Sequence, residues 1–385
     1  MIETVTKLRA ALEDSPYDWL ALGSAAQVVY ATGYRSVAGD LFRSHRMLAL
    51  VSAERTVLIG GASDGAAVLE SAVVDEYVPF GTFYFEAGNV EPGGRGAPES
   101  ELSGQNASFE EAVADAVARV DLSGRVGVDA GAADVAGLLR CVGVETVDAT
   151  EWMQDLRAVK LPAEVARLRE AVALAHAGID AAIAAAGVGV TEIELATVVA
   201  STMAQGGGVP GFMVVTSGPR SALSDARPTT RQLARGDLLR FDVGCTVDGY
   251  WSDIGRTAVV GEPDDLQASR YAAILAGEEE QLRFVRPGIT AGELFDVAVA
   301  RVEEAGLTPY RRHHCGHAIG IEIYERPIVA QGATTVLEPG MVFCVETPYY
   351  EIGWGGMMVE DALVVTDTGC EVLSASDRSL RVIDG

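Results

Sequence analysis

The sequence is poor in basic residues. Among 385 residues, 29 Lys and Arg stand against 55 Asp and Glu, which gives a formal net charge of −26. Proteins that bind nucleic acid or anionic membranes need clustered Lys and Arg to displace counterions from the polyanion. The charge balance therefore argues against both kinds of partner and leaves small molecules and metal cations as candidate ligands.

Cysteine pairs, long apolar runs and a leader-like start are also missing. The five cysteines are an odd number without a C-x-x-C pair, which favours reduced thiols over a disulfide framework. The most apolar stretch, residues 171–190, contains His176 and Asp180, so no membrane-spanning helix is predicted. The first residues carry acidic side chains and no continuous apolar segment, unlike a signal peptide. Together these features predict a cytoplasmic protein without a membrane partner.

The length and the order of patterns along the chain predict two domains. Residues 1–155 alternate helical patterns with the β-rich runs WLALG, MLALVSA, RTVLIGG and RVGVDA, which is typical of an α/β domain. A long helical pattern then begins at Pro162 and closes near Gly187. We therefore predict an α+β protein whose second domain, 156–385, combines helices with paired strands. The Gly-, Pro-, Ser- and Glu-rich stretch 86–108 predicts a long exposed loop, either a lid or a linker.

A predicted hairpin brings two aspartates together. The turn signal at 248–249 lies between β-rich arms and pairs position 247 with position 250. In that register Asp242 and Asp253 are diagonal neighbours on one face of the sheet, with Cβ atoms about 7 to 8 Å apart. If this face is buried, the two carboxylates need a cation between them or one of them stays protonated. If it is solvated, the pair has no special role.

Further chemistry-bearing residues lie inside apolar segments near the C-terminus. Glu346 and Glu360 occur within GMVFCVETPYY and GGMMVEDALVV, and His317 lies between small residues in CGHAIGIE. Carboxylates in such strands are costly to bury without a partner, and basic partners are scarce in these segments. Two divalent ions about 3.5 to 4 Å apart would suit this set, and its oxygen-rich character favours Mn, Fe or Co. The predicted ligands are Asp242, Asp253, His317, Glu346 and Glu360.

The motifs resemble those of the pita-bread metallopeptidase family, which includes aminopeptidase P, prolidase and the metal-free creatinase. The resemblance is carried by FDVG, DGYWSDIGRT, GHAIGIE, LEPGMVFCVETP and GGMMVEDALVV, and it extends to YATGY and VRPGITAGEL. It implies a creatinase-like α/β N-terminal domain and a pseudo-symmetric pita-bread catalytic domain. It also implies a homodimer in which one N-terminal domain borders the partner's site.

The resemblance implies a role for each predicted ligand. Asp242 corresponds to a ligand of one metal ion, and Asp253 and Glu360 correspond to bridging ligands. His317 and Glu346 correspond to ligands of the second ion, and Glu346 can also receive a proton from the attacking water. The implied cofactors are two divalent ions, Mn in the first place, with Fe, Co and Zn as alternatives.

Three positions depart from the family pattern, and all three concern the substrate. Asp225 and Tyr324 stand where the family usually has histidines, and Met358 stands where it commonly has an arginine. Ionised Asp225 can only accept hydrogen bonds and would attract a cationic or N–H-rich group. Tyr324 can donate a hydrogen bond but remains neutral where a histidine would titrate. We therefore expect Glu346, Asp225 and Tyr324 to act as catalytic residues in an atypical pocket.

The predicted function is hydrolysis of a peptide or amide C–N bond in a small peptide-like substrate, in the manner of an Xaa-Pro peptidase. One alternative is a metal-dependent lyase, or a hydrolase of non-peptide amides or amidines, that acts on a small polar metabolite. Another alternative is a binding module without catalysis.

Cys245, Cys315 and Cys344 lie close to predicted ligands and serve either as thiolate ligands or as small buried side chains. His313 and His314 either support the ligands or lie on an exposed turn.

Overall fold

The computed structural model describes residues 2–42, 44–85, 106–141, 143–373 and 376–384. Residues 86–105, most of the loop predicted at 86–108, lie outside this description. The chain divides into two compact units, Met1–Leu156 and Arg157–Gly385. None of the described helices combines the length and the apolar character that crossing a bilayer requires.

A mixed sheet forms the centre of the first unit. Its described strands are β1 (Trp19–Leu22), β2 (Leu48–Val51), β3 (Thr56–Gly61), β4 (Glu76–Phe80), β5 (Arg125–Val128) and β6 (Glu145–Asp148). They lie in the order β4-β3-β2-β1-β5-β6. The pairs β1/β5, β3/β4 and β5/β6 are parallel, whereas β1/β2 and β2/β3 are antiparallel. The α/β alternation predicted for this part of the chain is confirmed.

Helices alternate with these strands and cover the sheet with apolar faces. The described helices are α1 (Ile2–Glu13), α2 (Ala25–Thr32), α3 (Val37–Leu41), α4 (Gly65–Ser71), α5 (Phe109–Arg119), α6 (Val135–Cys141) and α7 (Thr150–Ala158). In α5, the Ser108 hydroxyl accepts a hydrogen bond from the Glu111 N–H and caps the first turn. The spacing of its buried residues places them on one helix face in the core of the unit, namely Phe109, Ala112, Val113 and Ala116.

The second unit repeats one local pattern in its two halves. Its helices are α8 (Pro162–Ala185), α9 (Glu192–Gln205), α10 (Asp265–Phe284) and α11 (Ala291–Glu304). The helix predicted to begin at Pro162 is confirmed and ends at Ala185. Capping boxes open α9 through Thr191 and α11 through Thr290, and each helix is the second of a pair followed by strands. This repetition matches the pseudo-symmetry that the resemblance implies.

A larger sheet connects the two halves of this unit. The described strands of the unit are β7 (Val209–Ser217), β8 (Leu238–Val247), β9 (Tyr250–Trp251), β10 (Ile254–Val260), β11 (Gly316–Ala318), β12 (Glu325–Ile328), β13 (Val342–Glu346), β14 (Tyr349–Glu351), β15 (Gly355–Met357), β16 (Glu360–Val365), β17 (Cys370–Val372) and β18 (Arg381–Ile383). The main path runs β12-β11-β13-β16-β10-β8-β7, and β14 pairs separately with β15. Strands from both halves are therefore neighbours at β16 and β10.

The predicted hairpin turn has the expected geometry. Asp248 and Gly249 both have positive φ, 48° and 84°. Positive φ at both central residues is the signature of a two-residue type I′ turn, which Asp-Gly favours. Val247 pairs with Tyr250 across the turn, so the predicted register is confirmed.

Candidate metal centre

Three carboxylates lie in one row across neighbouring strands of the larger sheet. Asp242 on β8 pairs with Gly255 on β10, which pairs in turn with Glu360 on β16. Glu360 is also directly opposite Glu346 on β13. Directly opposed residues project from the same face of a sheet, so the carboxylates share one face. A Cβ at Gly255 would lie 2.7 Å from Sδ of Met358 and 3.1 Å from Cβ of Glu360, so only glycine fits in this row.

Asp253 joins this row from the hairpin. It lies directly before β10 and two residues ahead of Gly255, which is the partner of Asp242. The predicted diagonal relationship between Asp242 and Asp253 is therefore confirmed. Asp253 is 5% exposed, so this face of the hairpin is buried rather than solvated.

His317 lies at the same place on β11, which pairs with β13. Its Nδ1 is 3.0 Å from the main-chain oxygen of Ala318, and its Nε2 is 3.4 Å from Oδ2 of Asp253. A proton on Nδ1 that is donated to Ala318 leaves Nε2 as the free lone pair. The side chain is buried and its ligand atom is directed towards the carboxylates.

The donor atoms of Asp253, His317 and Glu360 lie within 4.8 Å of one another. All three side chains are buried, and Oε2 of Glu360 has no hydrogen-bond partner among the described residues. A buried carboxylate oxygen without a partner is costly. Carboxylate and imidazole donors at this spacing suit a divalent transition metal. The residues therefore fit a metal ion at this position.

The carboxylates of the cluster repel one another. Burial, together with the nearby charge of Asp253, raises the pKa of Asp242 to about 8. Burial likewise raises the pKa of Asp253, and burial with the charges of Asp253 and Glu346 raises the pKa of Glu360 well above its usual range. Each shift expresses the cost of ionising a desolvated group beside like charges. A divalent cation would supply the missing positive charge.

Glu346 has two basic side chains beside it. Nδ1 of His314 lies 2.9 Å from Oε1 of Glu346, and Nη2 of Arg312 lies 4.0 Å from Oε2. Burial opposes ionisation, but the hydrogen bond and charge of His314, with the charge of Arg312, hold the pKa of Glu346 below its usual range. Of the two adjacent histidines, His314 is thus buried against a predicted ligand, whereas His313 is exposed.

Arg240 is a third basic partner of the carboxylates and is not among the residues predicted from the sequence. Its Nη1 donates a hydrogen bond to Oδ2 of Asp242 over 3.1 Å, and the side chain is fully buried. Arg240 precedes Asp242 by two positions on β8, so both side chains project from the same face. The expectation that basic partners are scarce near the carboxylates is wrong, because Arg240, Arg312 and His314 all contact them. In the sequence, the two-residue spacing between Arg240 and Asp242 was the signal for this contact.

Tyr324 covers the imidazole of the cluster. Its ring stacks on that of His317, with centroids 3.7 Å apart and an angle of 18° between the planes. The next residue, Glu325, is buried between Lys160 and Arg157. Burial favours its neutral form, but the charges of Lys160 and Arg157 lower the pKa of Glu325 to about 2. This anchored ion pair fixes the backbone beside Tyr324, whose own side chain is 51% exposed.

A cavity of about 890 Å³ opens beside the cluster. Asp242, Asp253 and Tyr324 line it, and so does Asp225. Asp225 is exposed and accepts a hydrogen bond from the Ser224 hydroxyl over 3.4 Å. The structure thus brings Asp225 and Tyr324 to the same cavity as two of the carboxylates, but Asp225 stays outside the buried cluster.

The cysteines near the cluster are buried thiols. Cys344 donates to the main-chain oxygen of Asp253, and Cys245 donates to that of Ala171, each over 3.5 Å. Burial raises the pKa of Cys315 to about 12 and that of Cys344 well above its usual range. Protonated thiols that donate to main-chain oxygens favour a packing role over thiolate ligation.

Comparison with known proteins identifies the family of both parts of the chain. Residues 166–367 match the model of metallopeptidase family M24, and residues 5–159 match that of the creatinase/prolidase N-terminal domain. An Xaa-Pro dipeptidase from Pyrococcus furiosus is 35% identical over 230 residues, which are 59% of this chain. The match spans 66% of that relative, just under two thirds of its length.

Solved structures match nearly the full length of the chain. The X-Pro aminopeptidase from Thermotoga maritima matches with a TM-score of 0.83 at 21% identity, over 98% of this chain and 99% of that chain. The Xaa-Pro dipeptidase from Bacillus anthracis matches with a TM-score of 0.81 at 27% identity, over 99% of both chains. The predicted α+β fold, with a creatinase-like N-terminal domain before a pita-bread domain, is confirmed. This chain therefore belongs to metallopeptidase family M24 and carries a creatinase/prolidase N-terminal domain.

Proposed function

We propose that the protein is a metal-dependent hydrolase of a peptide or amide C–N bond in a small peptide-like substrate. The observation that carries this proposal is the convergence of the donor atoms of Asp253, His317 and Glu360 within 4.8 Å, beside an open cavity. Relatives named Xaa-Pro dipeptidase, at 34% and 35% identity, support a peptidase. The departures at Asp225 and Tyr324 support a substrate pocket that differs from that of an ordinary Xaa-Pro peptidase.

We propose that five side chains hold two divalent cations. Asp242 would hold one ion, and Asp253 and Glu360 would lie between the two ions. His317 and Glu346 would hold the second ion. When bound, the cations supply a Lewis acid for the scissile carbonyl and activate water at neutral pH. The oxygen-rich donor set supports manganese, with iron, cobalt and zinc as the alternatives.

Glu346 is the proposed proton acceptor of the site. Its partners His314 and Arg312 keep it ionised despite burial. An ionised carboxylate at hydrogen-bond range of a water molecule can take its proton and later return it to the leaving nitrogen. His314 lies 2.9 Å from Oε1 of Glu346 and Arg312 lies 4.0 Å from Oε2, and these contacts fix the orientation of the carboxylate.

Asp225 and Tyr324 are proposed to select and orient the substrate. Both line the cavity, and Asp225 offers an exposed carboxylate that only accepts hydrogen bonds. A free amino group of the substrate is its natural partner. Burial and the charges of Glu346 and Glu360 raise the pKa of Tyr324, so its phenol keeps its proton and can donate to a substrate oxygen.

The test combines a substrate panel with isotope labelling. The manganese-loaded protein is assayed on Xaa-Pro dipeptides, other dipeptides, their N-acetylated forms and small amides. Hydrolysis in heavy-oxygen water must place solvent oxygen in the acyl product, whereas a lyase need not do so. Glu346→Gln should lower kcat by about 10²- to 10⁴-fold, the usual contribution of a general base. Absence of solvent oxygen from every product would contradict the proposal.

Asp225→Asn tests the proposed role of Asp225 in substrate selection. It should raise KM for substrates with a free amino group and leave KM for the N-acetylated forms unchanged, because only the former carry a cation. High turnover of Xaa-Pro dipeptides that is insensitive to Asp225→Asn would contradict the proposed role of this residue.

We also propose that the protein is a cytoplasmic homodimer. All five cysteines are free, which suits a reducing compartment. Val37, Leu41 and Phe42 are 73%, 70% and 59% exposed on the first unit, and clustered apolar residues of this kind support a protein interface. Light scattering that gives the mass of one chain would contradict the dimer.

A further inference from the structure

Arg240 has an unusual set of partners for a buried arginine. Its Nε donates to the main-chain oxygen of Ser221 over 2.9 Å. Its Nη2 donates to the main-chain oxygens of Leu223 and Ser224, each over 2.8 Å. Its Nη1 donates to Oδ2 of Asp242 over 3.1 Å. One planar guanidinium thus joins three main-chain carbonyls of the segment 221–224 to a carboxylate of the candidate metal centre.

Hydrogen-bond capacity makes this arrangement specific to arginine. A guanidinium has five N–H donors in a fixed plane, and four of those of Arg240 are used in the bonds to the turn and to Asp242. The remaining Nη1 position lies 3.9 Å from Sδ of Met358. A lysine would place a positive charge beside Asp242 but offers only three donors without the planar fork. Charge and geometry can therefore be separated by substitution.

The turn held by Arg240 leads directly to the cavity. Residues Gly218–Ala222 form a 3-10 helix, and Asp225, three residues later, lines the cavity. The N–H of Leu223 donates to the oxygen of Arg220 over 2.9 Å, so this amide reports on the order of the turn. Arg240 donates to the carbonyl oxygens of the two residues directly before Asp225, Leu223 and Ser224.

We propose that Arg240 is a positioning residue that fixes the segment carrying Asp225 relative to the Asp242 carboxylate. The relative positions of Asp242, a proposed metal ligand, and Asp225, a proposed substrate contact, then depend on this one side chain. This inference rests on the proposed function for the roles of Asp225 and Asp242. The hydrogen bonds concerned join atoms of the chain alone, so they can be tested in the metal-free protein.

The first experiment measures amide hydrogen exchange of the metal-free full chain. Arg240→Lys should accelerate exchange at the Leu223 amide by about tenfold, because the loss of two or three bonds of ordinary strength loosens the turn. Arg381→Lys is the matched control, since Arg381 pairs with Asp180 and Asp377 and does not line the cavity. It should leave Leu223 exchange unchanged. Equal exchange in wild type and Arg240→Lys would overturn the proposal.

The second experiment is a double-mutant cycle on KM with substrates that carry a free amino group. Arg240→Lys and Asp225→Asn should each raise KM, and the double variant should raise it no further than Asp225→Asn alone, because Arg240 acts through Asp225. Additive effects would indicate a merely structural role and overturn the proposal. If the wild type binds no Mn²⁺ and cleaves nothing, the proposed function fails. The exchange experiment still shows whether Arg240 orders the turn that leads to Asp225.

A third measurement needs no substitution. In the wild type labelled with ¹⁵N-arginine, the Nε–H of Arg240 should be protected from exchange with solvent, since it is buried and bonded to Ser221. Rapid exchange of this proton would show that the bond to Ser221 is not formed and would overturn the proposal even if Arg240→Lys did not fold.

Discussion

Glu346 and Glu360 face each other directly across β13 and β16, yet their surroundings shift their pKa values in opposite directions. Burial acts on both carboxylates. His314 and Arg312 outweigh it at Glu346. Glu360 has mainly carboxylates around it, and one of its oxygens has no partner within the described part of the chain. The pair thus combines a carboxylate that basic side chains keep ionised with one whose ionised form a cation would stabilise.

The metal-free protein should lose stability as the pH rises from about 5 to about 8. The pKa of Asp242 is about 8 in the folded chain and about 4 in an unfolded one. In this interval the folded state holds a proton that the unfolded state has released, so the contribution is full below the unfolded pKa and disappears as the pH passes the folded value. The slope is at most about 1.4 kcal/mol per pH unit for this proton.

Urea unfolding of the chelator-treated protein across this interval measures the effect. Asp242→Asn should flatten the dependence, because an amide does not titrate, and added Mn²⁺ should also reduce it. A dependence of equal slope in Asp242→Asn would assign the effect to other groups and contradict the account of Asp242.

Two substitutions of Tyr324 should distinguish the role of its ring in metal binding from the role of its hydroxyl in turnover. Tyr324→Phe keeps the ring stacked on His317 and should retain Mn²⁺ affinity. It should lower kcat by about 10²- to 10³-fold, the usual effect of removing one donor to a developing oxyanion. Tyr324→Ala removes the ring and should weaken Mn²⁺ binding as well, because His317 loses its support. Titration calorimetry and steady-state kinetics measure the two quantities. Wild-type kcat in Tyr324→Phe would exclude the hydroxyl from the reaction.

Gly255→Ala should damage both stability and metal binding. The added methyl group would lie 2.5 Å from Cγ of Met358 and 3.1 Å from Cβ of Glu360, so it must displace one of them. Overpacking of this kind costs about 1 to 3 kcal/mol of unfolding free energy. Gly137→Ala is the control, because an added Cβ there meets nothing within 4 Å and lies within α6. The melting temperature should decrease only for Gly255→Ala.

The hairpin part of the centre could be predicted because its geometry is local. The turn at Asp248 and Gly249 fixes the register, and side-chain alternation then places Asp242 and Asp253 on one face. The strands that carry His317, Glu346 and Glu360 are far apart in the chain. Their convergence follows from non-local pairing, which periodicity cannot give, and it could be expected only from the family resemblance.

The basic partners of the carboxylates could not be predicted with the same means. Arg240 shares a strand face with Asp242, so its proximity follows from alternation, but its bonds to the oxygens of Ser221, Leu223 and Ser224 depend on where a distant turn packs. The sequence alone does not distinguish His314 from the adjacent His313 as a partner of the ligands. Only the tertiary structure distinguishes the buried imidazole on Glu346 from its exposed neighbour.

The manganese content and affinity of the purified protein test the proposed metal centre directly. The wild type should bind two ions per chain. Asp253→Ala and Glu360→Ala should lose them while remaining folded by circular dichroism, because both residues are proposed to lie between the ions. Asp225→Asn should bind Mn²⁺ as the wild type does. Metal content unchanged in both alanine variants would contradict the proposed centre.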